Sequence, residues 1–153
     1  MSITRMMIIF GAAWCLLRAN TIATRFAVCR RQFAIARGKK TERKIIDYQT
    51  HMQILGPQLA NSFVLFRAAR YVEPLLKLSI KESSEKGNFK MLDICHHFTA
   101  GFKAFFTDMN YKGSDELRAS CGGAGIAKAS GIVSAWEEYA TFPTYEGVNV
   151  LMY

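Results

Sequence analysis

Apolar residues recur along this chain at steps of three and four, the spacing of helices rather than strands. From Ile3 to Phe33, the stripe Ile3, Met7, Phe10, Trp14 and Leu17 slips slightly in phase and resumes as Ile22, Phe26, Cys29 and Phe33. This predicts one helix of about 30 residues, roughly 45 Å long, a length that belongs in a bundle. A second helix is expected over 43–81, with Gly56-Pro57 and Pro74 kinking or dividing it. "SSEKGN" (83–88) reads as a turn. A third helix over 89–110 carries Met91, Cys95, Phe98, Phe102, Phe105 and Met109, its phenylalanines read as core. "KGSD" (112–115) reads as another turn, with Ser114 as N-cap of a fourth helix and Asp115 and Glu116 at the positive end of its dipole. That helix should stop at "CGGAGI". A short helix over 132–139 follows, then a loop holding Glu146 and the first turn of a further helix. The prediction is all-α: an up-and-down bundle of about four main helices in one domain, 1–153.

Composition narrows the picture. With 153 residues, half of them hydrophobic and 21% charged, the chain has enough apolar surface for a real core and is no disordered tail. The net charge of +8 suits an anionic partner or simply a basic solvated surface. No stretch interleaves basic and aromatic residues as a single-strand groove does, so nucleic acid is not expected. The densest basic run, "RGKKTERK" (37–44), reads as a polar connection between two helices. Cys15, Cys29, Cys95 and Cys121 form no C-x-x-C pair and read as reduced, mostly packed thiols. His96 and His97 lack a third ligand at suitable spacing, so no metal is expected. The apolar run 6–17, between Arg5 and Arg18, is too short to span a bilayer. It has the outline of a signal-peptide core, yet the helical period continues past the point of cleavage.

One charge stands out. "FPTYEGVNV" (142–150) sets Glu146 between an aromatic residue and a glycine, just after a proline. Such a carboxylate either caps the last helix or is a base aimed into a pocket.

Four segments in order, "TIATRFAVCRRQF", "IIDYQTHMQIL", "ASCGGAGI" and "FPTYEGVNV", are similar to the patterns "RYSxVRRQF", "LDYQTQ", "ACGGHGY" and "CTFEGEN" of the acyl-CoA oxidases. "HHFTAGFKAFF" (96–106) likewise resembles "HALTAGLKAF". The resemblance covers essentially the whole chain. It points to the C-terminal helical region of that family, without the family's N-terminal helical and middle β-domains.

The resemblance implies an FAD-dependent flavoprotein chemistry. A glutamate removes the α-proton of an acyl-CoA, hydride leaves the β-carbon for the flavin, and O2 becomes hydrogen peroxide, leaving the trans-2-enoyl-CoA. An α-proton of a thioester is too weakly acidic for a solvated carboxylate, so the base must be dry and aligned, and the developing enolate oxygen needs donors. Glu146 falls at the catalytic position, with Gly147 leaving room for substrate. Arg5 matches an arginine near the carboxylate and the acyl thioester. Arg30 matches one that reaches the pyrophosphate of FAD bound mainly by a neighbouring subunit, an arginine fork suiting phosphate. Phe33 and Gln49 match residues near the same cofactor, and Gly122 and Gly123 a glycine loop that lets backbone approach it. The implied partners are acyl-CoA and a second subunit, as homodimer or as a fuller oxidase chain.

Each residue also has a bland reading. Arg30 suits a solvated helix end, Gly122 and Gly123 a helix stop, and Phe33 and Gln49 ordinary packing. The sequence departs from the family too. Ala124 and Ile126 replace a histidine and a tyrosine, Ala34 replaces a glycine, and Val148 a polar residue. These departures leave a second reading, a non-catalytic scaffold that keeps the bundle and its dimer surface. The resemblance implies a peroxisome, though no peroxisomal C-terminal tripeptide is present; the alternative is the cytoplasm. A bundle meant to lie against other domains should expose large apolar patches.

Overall fold

The computed structural model describes residues 2–36 and 38–152. Three long helices and one short one carry the chain: α1 (Ser2–Cys29), α2 (Gln49–Lys86), α3 (Lys90–Ser120) and α4 (Ile132–Tyr139). A small antiparallel hairpin, β1 (Arg31–Ala34) and β2 (Glu42–Lys44), joins α1 to α2, and single 3-10 turns fill the remaining connections. The all-α bundle stands as predicted.

α1 is the axis of the bundle, packed against α2, α3 and α4. Its buried spine is Ile9, Ala12, Ala13, Leu16, Ala19, Ala23 and Ala27, all without exposed surface. Alanines let neighbouring backbones approach closely, so the small residues face inward. The larger residues of the expected stripe lie on the other side: Ile3, Met7 and Trp14 are exposed, and Phe10 and Leu17 half-buried. By length and composition α1 is apolar enough to cross a bilayer, but over half of its most apolar stretch is buried inside the bundle.

α3 reverses the expected pattern. Phe98 and Phe105 are exposed and Phe102 half-buried, while Thr99, Lys103, Thr107, Asn110 and Ser114 are buried beside Phe106 and Leu117. Hydrogen bonds within the bundle satisfy these polar groups: Thr107 Oγ1 donates to the Lys103 carbonyl at 2.8 Å, and Ser114 Oγ bonds Asn110 Oδ1 at 3.0 Å.

"KGSD" is not a turn. α3 runs through it, and Ser114 is interior rather than an N-cap. Gly113 is there for closeness: a Cβ would collide with Gln58 Oε1 of α2 and lie 2.9 Å from Leu16 Cδ1 of α1. The (i, i+3) pair Arg118–Asp115, at 2.6 Å, supports the helix beyond it.

Nor do the prolines divide α2, which holds both Pro57 and Pro74 in 38 continuous residues. Both lie on the exposed face, as do Gln53 and Arg70, whose carbonyls lose their helical donor and are left to water. α2 begins at Gln49 rather than near 43 and ends at Lys86, where Gly87 takes the left-handed cap (φ 62°).

α1 also stops short of Phe33. Its last helical bond is Arg30 N–H to the Phe26 carbonyl (2.8 Å), after which the chain enters the hairpin. Ile45 N–H bonds the Arg30 carbonyl at 2.9 Å, and Tyr48 hydroxyl donates to the Gln32 carbonyl at 2.9 Å. Tertiary pairing overrides the helical spacing here. Residues 42–44 of the run read as a polar connection form β2, and Arg37 lies outside the described residues.

Two measurements check this packing. Gly→Ala inside a helix ordinarily stabilises by about 1 kcal/mol. Gly101→Ala, where a Cβ meets open space, should do so, whereas Gly113→Ala should cost about 1–3 kcal/mol in urea unfolding through overpacking. Secondly, Cys29 is exposed and the other three thiols are buried, with Cys15 donating to the Ala135 carbonyl at 3.2 Å. Burial pushes the Cys15 thiol up to about 11, so it is un-ionised at pH 8. Alkylation at pH 8, mapped by mass spectrometry, should label Cys29 in the native chain and Cys15 only after unfolding.

Candidate active site

After α4 the chain turns back across the bundle on a loop stiffened by Pro143 and lined by rings. Tyr139 and Phe142 meet edge to face with centroids 4.5 Å apart, and Tyr145 follows 5.7 Å from Phe142. Glu146 then takes a left-handed backbone (φ 53°), and Gly147 one at φ 103°. For a residue with a Cβ this conformation costs on the order of 1–2 kcal/mol, so the surroundings must hold it.

They do so from two helices. From α1, the buried Arg5 donates Nε–H to the Glu146 carbonyl at 3.2 Å. Its Nη1 lies 3.5 Å from His96 Nε2 of α3, whose Nδ1 is 3.5 Å from Ser2 Oγ. From α3, the fully buried Lys103 reaches the Pro143 carbonyl (3.2 Å), the Gly147 carbonyl (2.6 Å) and Asn149 Oδ1 (2.8 Å). Asn149 turns its Nδ2 onto the Ala104 carbonyl (3.0 Å), Thr107 Oγ1 (2.9 Å) and Asp108 Oδ1 (2.8 Å). Burial, and then the neighbouring Arg5, pull Lys103 below the usual lysine value; Asp108 and Glu146 oppose them. Gly147 is confined on its own account: a Cβ would lie 2.8 Å from Met152 Sδ and 3.7 Å from Arg5 Nη2.

The Glu146 side chain is half-buried, and no hydrogen bond or ion pair to its carboxylate occurs among the described residues. Two cations stand close by, but the bonds that tie them to this loop go to backbone and amide oxygens. The arrangement leaves a carboxylate, on a rigid kink, with room to accept a proton.

The other expected residues gather at the far end of α1. Arg30, Gly122 and Gly123 line a cavity of about 280 Å³ together with Phe26, Gln32 and Ser120. Arg30 and both glycines are exposed, Gly122 is left-handed (φ 57°), and open space lies where either Cβ would stand. Gly125, by contrast, is a packing glycine, since a Cβ there would collide with the Arg118 carbonyl. Phe33, left-handed at φ 64°, lines an adjoining cavity of about 320 Å³ with Gln32, Tyr48, Thr50 and His51. Gln49 is exposed at the first position of α2 and lines neither cavity. The ring nitrogen His51 Nε2 is buried with no partner among the described residues, and burial holds its pKa below the usual histidine value. An exposed guanidinium, two exposed glycines and an orphaned ring nitrogen at adjoining cavities fit a phosphate-bearing aromatic cofactor.

The structure therefore divides the expected set in two. Arg5, Glu146 and Gly147 stand together at one end of α1; Arg30, Phe33, Gln49, Gly122 and Gly123 stand around the other, about 37 Å away at 1.5 Å per residue. Sequence reasoning missed Lys103 and Asn149. The signal for Lys103 was its place, a lone cation in the apolar run "TAGFKAFF".

Comparisons with known proteins follow the same lines. Residues 1–153 match the family described as "Acyl-CoA oxidase, C-alpha1 domain". The peroxisomal acyl-coenzyme A oxidase 1 of Mus musculus is 36% identical over 152 residues, 99% of this chain and 23% of that protein. Its namesake from Arabidopsis thaliana is 36% identical over 151 residues. The solved structure of Arabidopsis thaliana acyl-CoA oxidase 1 superposes with a TM-score of 0.89 at 33% identity, covering 99% of this chain and 23% of that one. Caenorhabditis elegans acyl-CoA oxidase-2, bound with FAD, ascaroside-CoA and ATP, superposes with a TM-score of 0.90 at 29% identity, covering 97% and 22%. The chain thus spans less than a quarter of the relatives it matches.

Proposed function

Since the chain belongs to the acyl-CoA oxidase family, we propose that it supplies the base, Glu146, for FAD-dependent oxidation of an acyl-CoA to the trans-2-enoyl-CoA, with O2 reduced to hydrogen peroxide, a step of fatty acid β-oxidation. The observation that carries this reading is the unpaired, half-buried carboxylate on a kink fixed from two helices. A base that must meet a weakly acidic C–H bond gains most from alignment and from exclusion of water. Glu146 takes the α-proton. Arg5, already tied to the Glu146 carbonyl, places positive charge beside the thioester as negative charge develops on its oxygen. Gly147 keeps the backbone next to the base slim.

Arg30 and the N–H groups of Gly122 and Gly123 would hold the phosphates of FAD, with Phe33 and Gln49 beside its ring systems. FAD, when bound, supplies the hydride acceptor and the site that O2 reoxidises. The separation of the two clusters exceeds the span of one dinucleotide, so each chain contributes its base to one cofactor site and Arg30 to another. This favours a homodimer, or a pairing with a longer oxidase subunit. The peroxisomal relatives favour a peroxisomal setting. The domain is 1–153, and the remainder of the acyl-CoA pocket comes from parts beyond it. A scaffold role is the second reading, supported by the outward-facing apolar residues of α1 and α3.

Grafting this chain in place of the matching segment of Arabidopsis thaliana acyl-CoA oxidase 1 tests the reading. The graft should release peroxide from a long-chain acyl-CoA, and Glu146→Gln should lower kcat about 10²- to 10⁴-fold. Full activity of the Glu146→Gln graft removes the base assignment, and an inactive but folded, FAD-loaded wild-type graft favours the scaffold. Mixing Glu146→Gln with Arg30→Gln subunits should restore activity in the heterodimer, because one of its two sites then holds both wild-type residues.

A further inference from the structure

Lys103 is the least expected residue in the bundle: a fully buried lysine on the inner face of α3. An ammonium has three N–H donors, and here it meets three acceptors, the carbonyls of Pro143 and Gly147 and the amide oxygen of Asn149. All three belong to the loop that carries Glu146: the Pro143 carbonyl before it, the Gly147 carbonyl directly after it, and the Asn149 amide in the following turn. A neutral amine would offer two donors and turn its lone pair toward the third oxygen, so the geometry selects the charged form. Asn149 extends the tie back to α3 through Ala104, Thr107 and Asp108. Arg5 holds a carbonyl that Lys103 does not reach, that of Glu146 itself.

We propose that Lys103 is the positioning residue of Glu146: its ammonium gathers the flanking carbonyls and holds the left-handed kink that aims the carboxylate, a role that bears on catalysis only if Glu146 is the base proposed above. Lys103 touches no reacting atom; it acts through the loop. Its aliphatic stem fills space in the core, and its charge sets the loop, so the two contributions are separable. Methionine keeps the stem and removes the ammonium.

The test uses the 153-residue chain itself, by residue-resolved amide hydrogen exchange. The reporters are the N–H groups of Thr144, Tyr145, Leu151 and Met152, which bond within the loop to the carbonyls of Thr141, Phe142, Val148 and Asn149. Lys103→Met should speed their exchange about 10- to 100-fold while leaving Leu16 and Leu65, buried in the middle of α1 and α2, unchanged. Unchanged loop exchange, or acceleration spread equally over the core helices, overturns the proposal. Should Lys103→Met fail to fold, the wild-type chain gives the second readout. The Lys103 side-chain nitrogen should show a slowly exchanging ammonium resonance at pH 7, and ζ protons exchanging as fast as those of surface lysines overturn the clamp. The two readings fail separately. An active Glu146→Gln graft removes the base and leaves the clamp. An inactive one beside an unaffected Lys103→Met loop removes the clamp and leaves the base.

Discussion

A lysine with no access to solvent, giving all its donors to a single loop, is the constraint from which the geometry around Glu146 follows. The chain after α4 has little to fix it locally. Its 3-10 turns are three residues long and two consecutive residues sit in left-handed conformations. The bundle supplies what the loop lacks: one cation from α3, one from α1, and on α3 the acceptors that the loop's Asn149 reaches. Burial of Lys103 weakens its hold on the proton, and the three bonds are what that burial is exchanged for. Removing an acceptor here would strand a charge, which is more damaging than never having placed one.

The polar interior of α3 is also why the outer apolar face exists. A helix has a limited circumference. With Thr99, Lys103, Thr107, Asn110 and Ser114 turned inward, Ile94, Phe98 and Phe105 are left outward. α1 makes the same choice for a different reason, since its inward face is given to alanines so that three helices can crowd around it. Both helices therefore present large side chains to whatever lies outside the chain, a surface more apolar than a lone soluble bundle needs.

Much of the fold could be read from the sequence, and the failures have physical causes. Spacing of three and four residues found the three long helices, though with α3 cut in two at 112–115, and the short α4 was placed at its observed bounds of 132–139. Spacing alone does not say which face is inside, because a hydrogen-bonded threonine or lysine packs as well as a phenylalanine. Gly113 was misread as a turn because a packing glycine and a turn glycine look the same until the neighbouring helices are known. Pro57 and Pro74 were expected to kink or divide α2; they do not divide it, because both sit on its exposed face. The hairpin after α1 was invisible, since its two short, exposed strands, with Arg31 opposite Lys44 and Ala34 opposite Glu42, carry no alternation of apolar and polar residues. At the candidate site, Glu146 and Arg5, which the fold brings together, were singled out by the resemblance to known motifs. Lys103 and Asn149 were not, because their roles exist only once α3 and the final loop are brought together.

The two residue clusters lie at opposite ends of one uninterrupted helix, and this has a consequence for how such a chain can vary. Inserting or deleting a single residue between Arg5 and Arg30 would rotate one end against the other by about 100° and shift it by about 1.5 Å. Arg5 would leave the Glu146 carbonyl, or Arg30 would leave the glycine cavity, even with every side chain retained. α1 is in this sense a phased shaft, and its residue count fixes the placing of both clusters as much as its composition does.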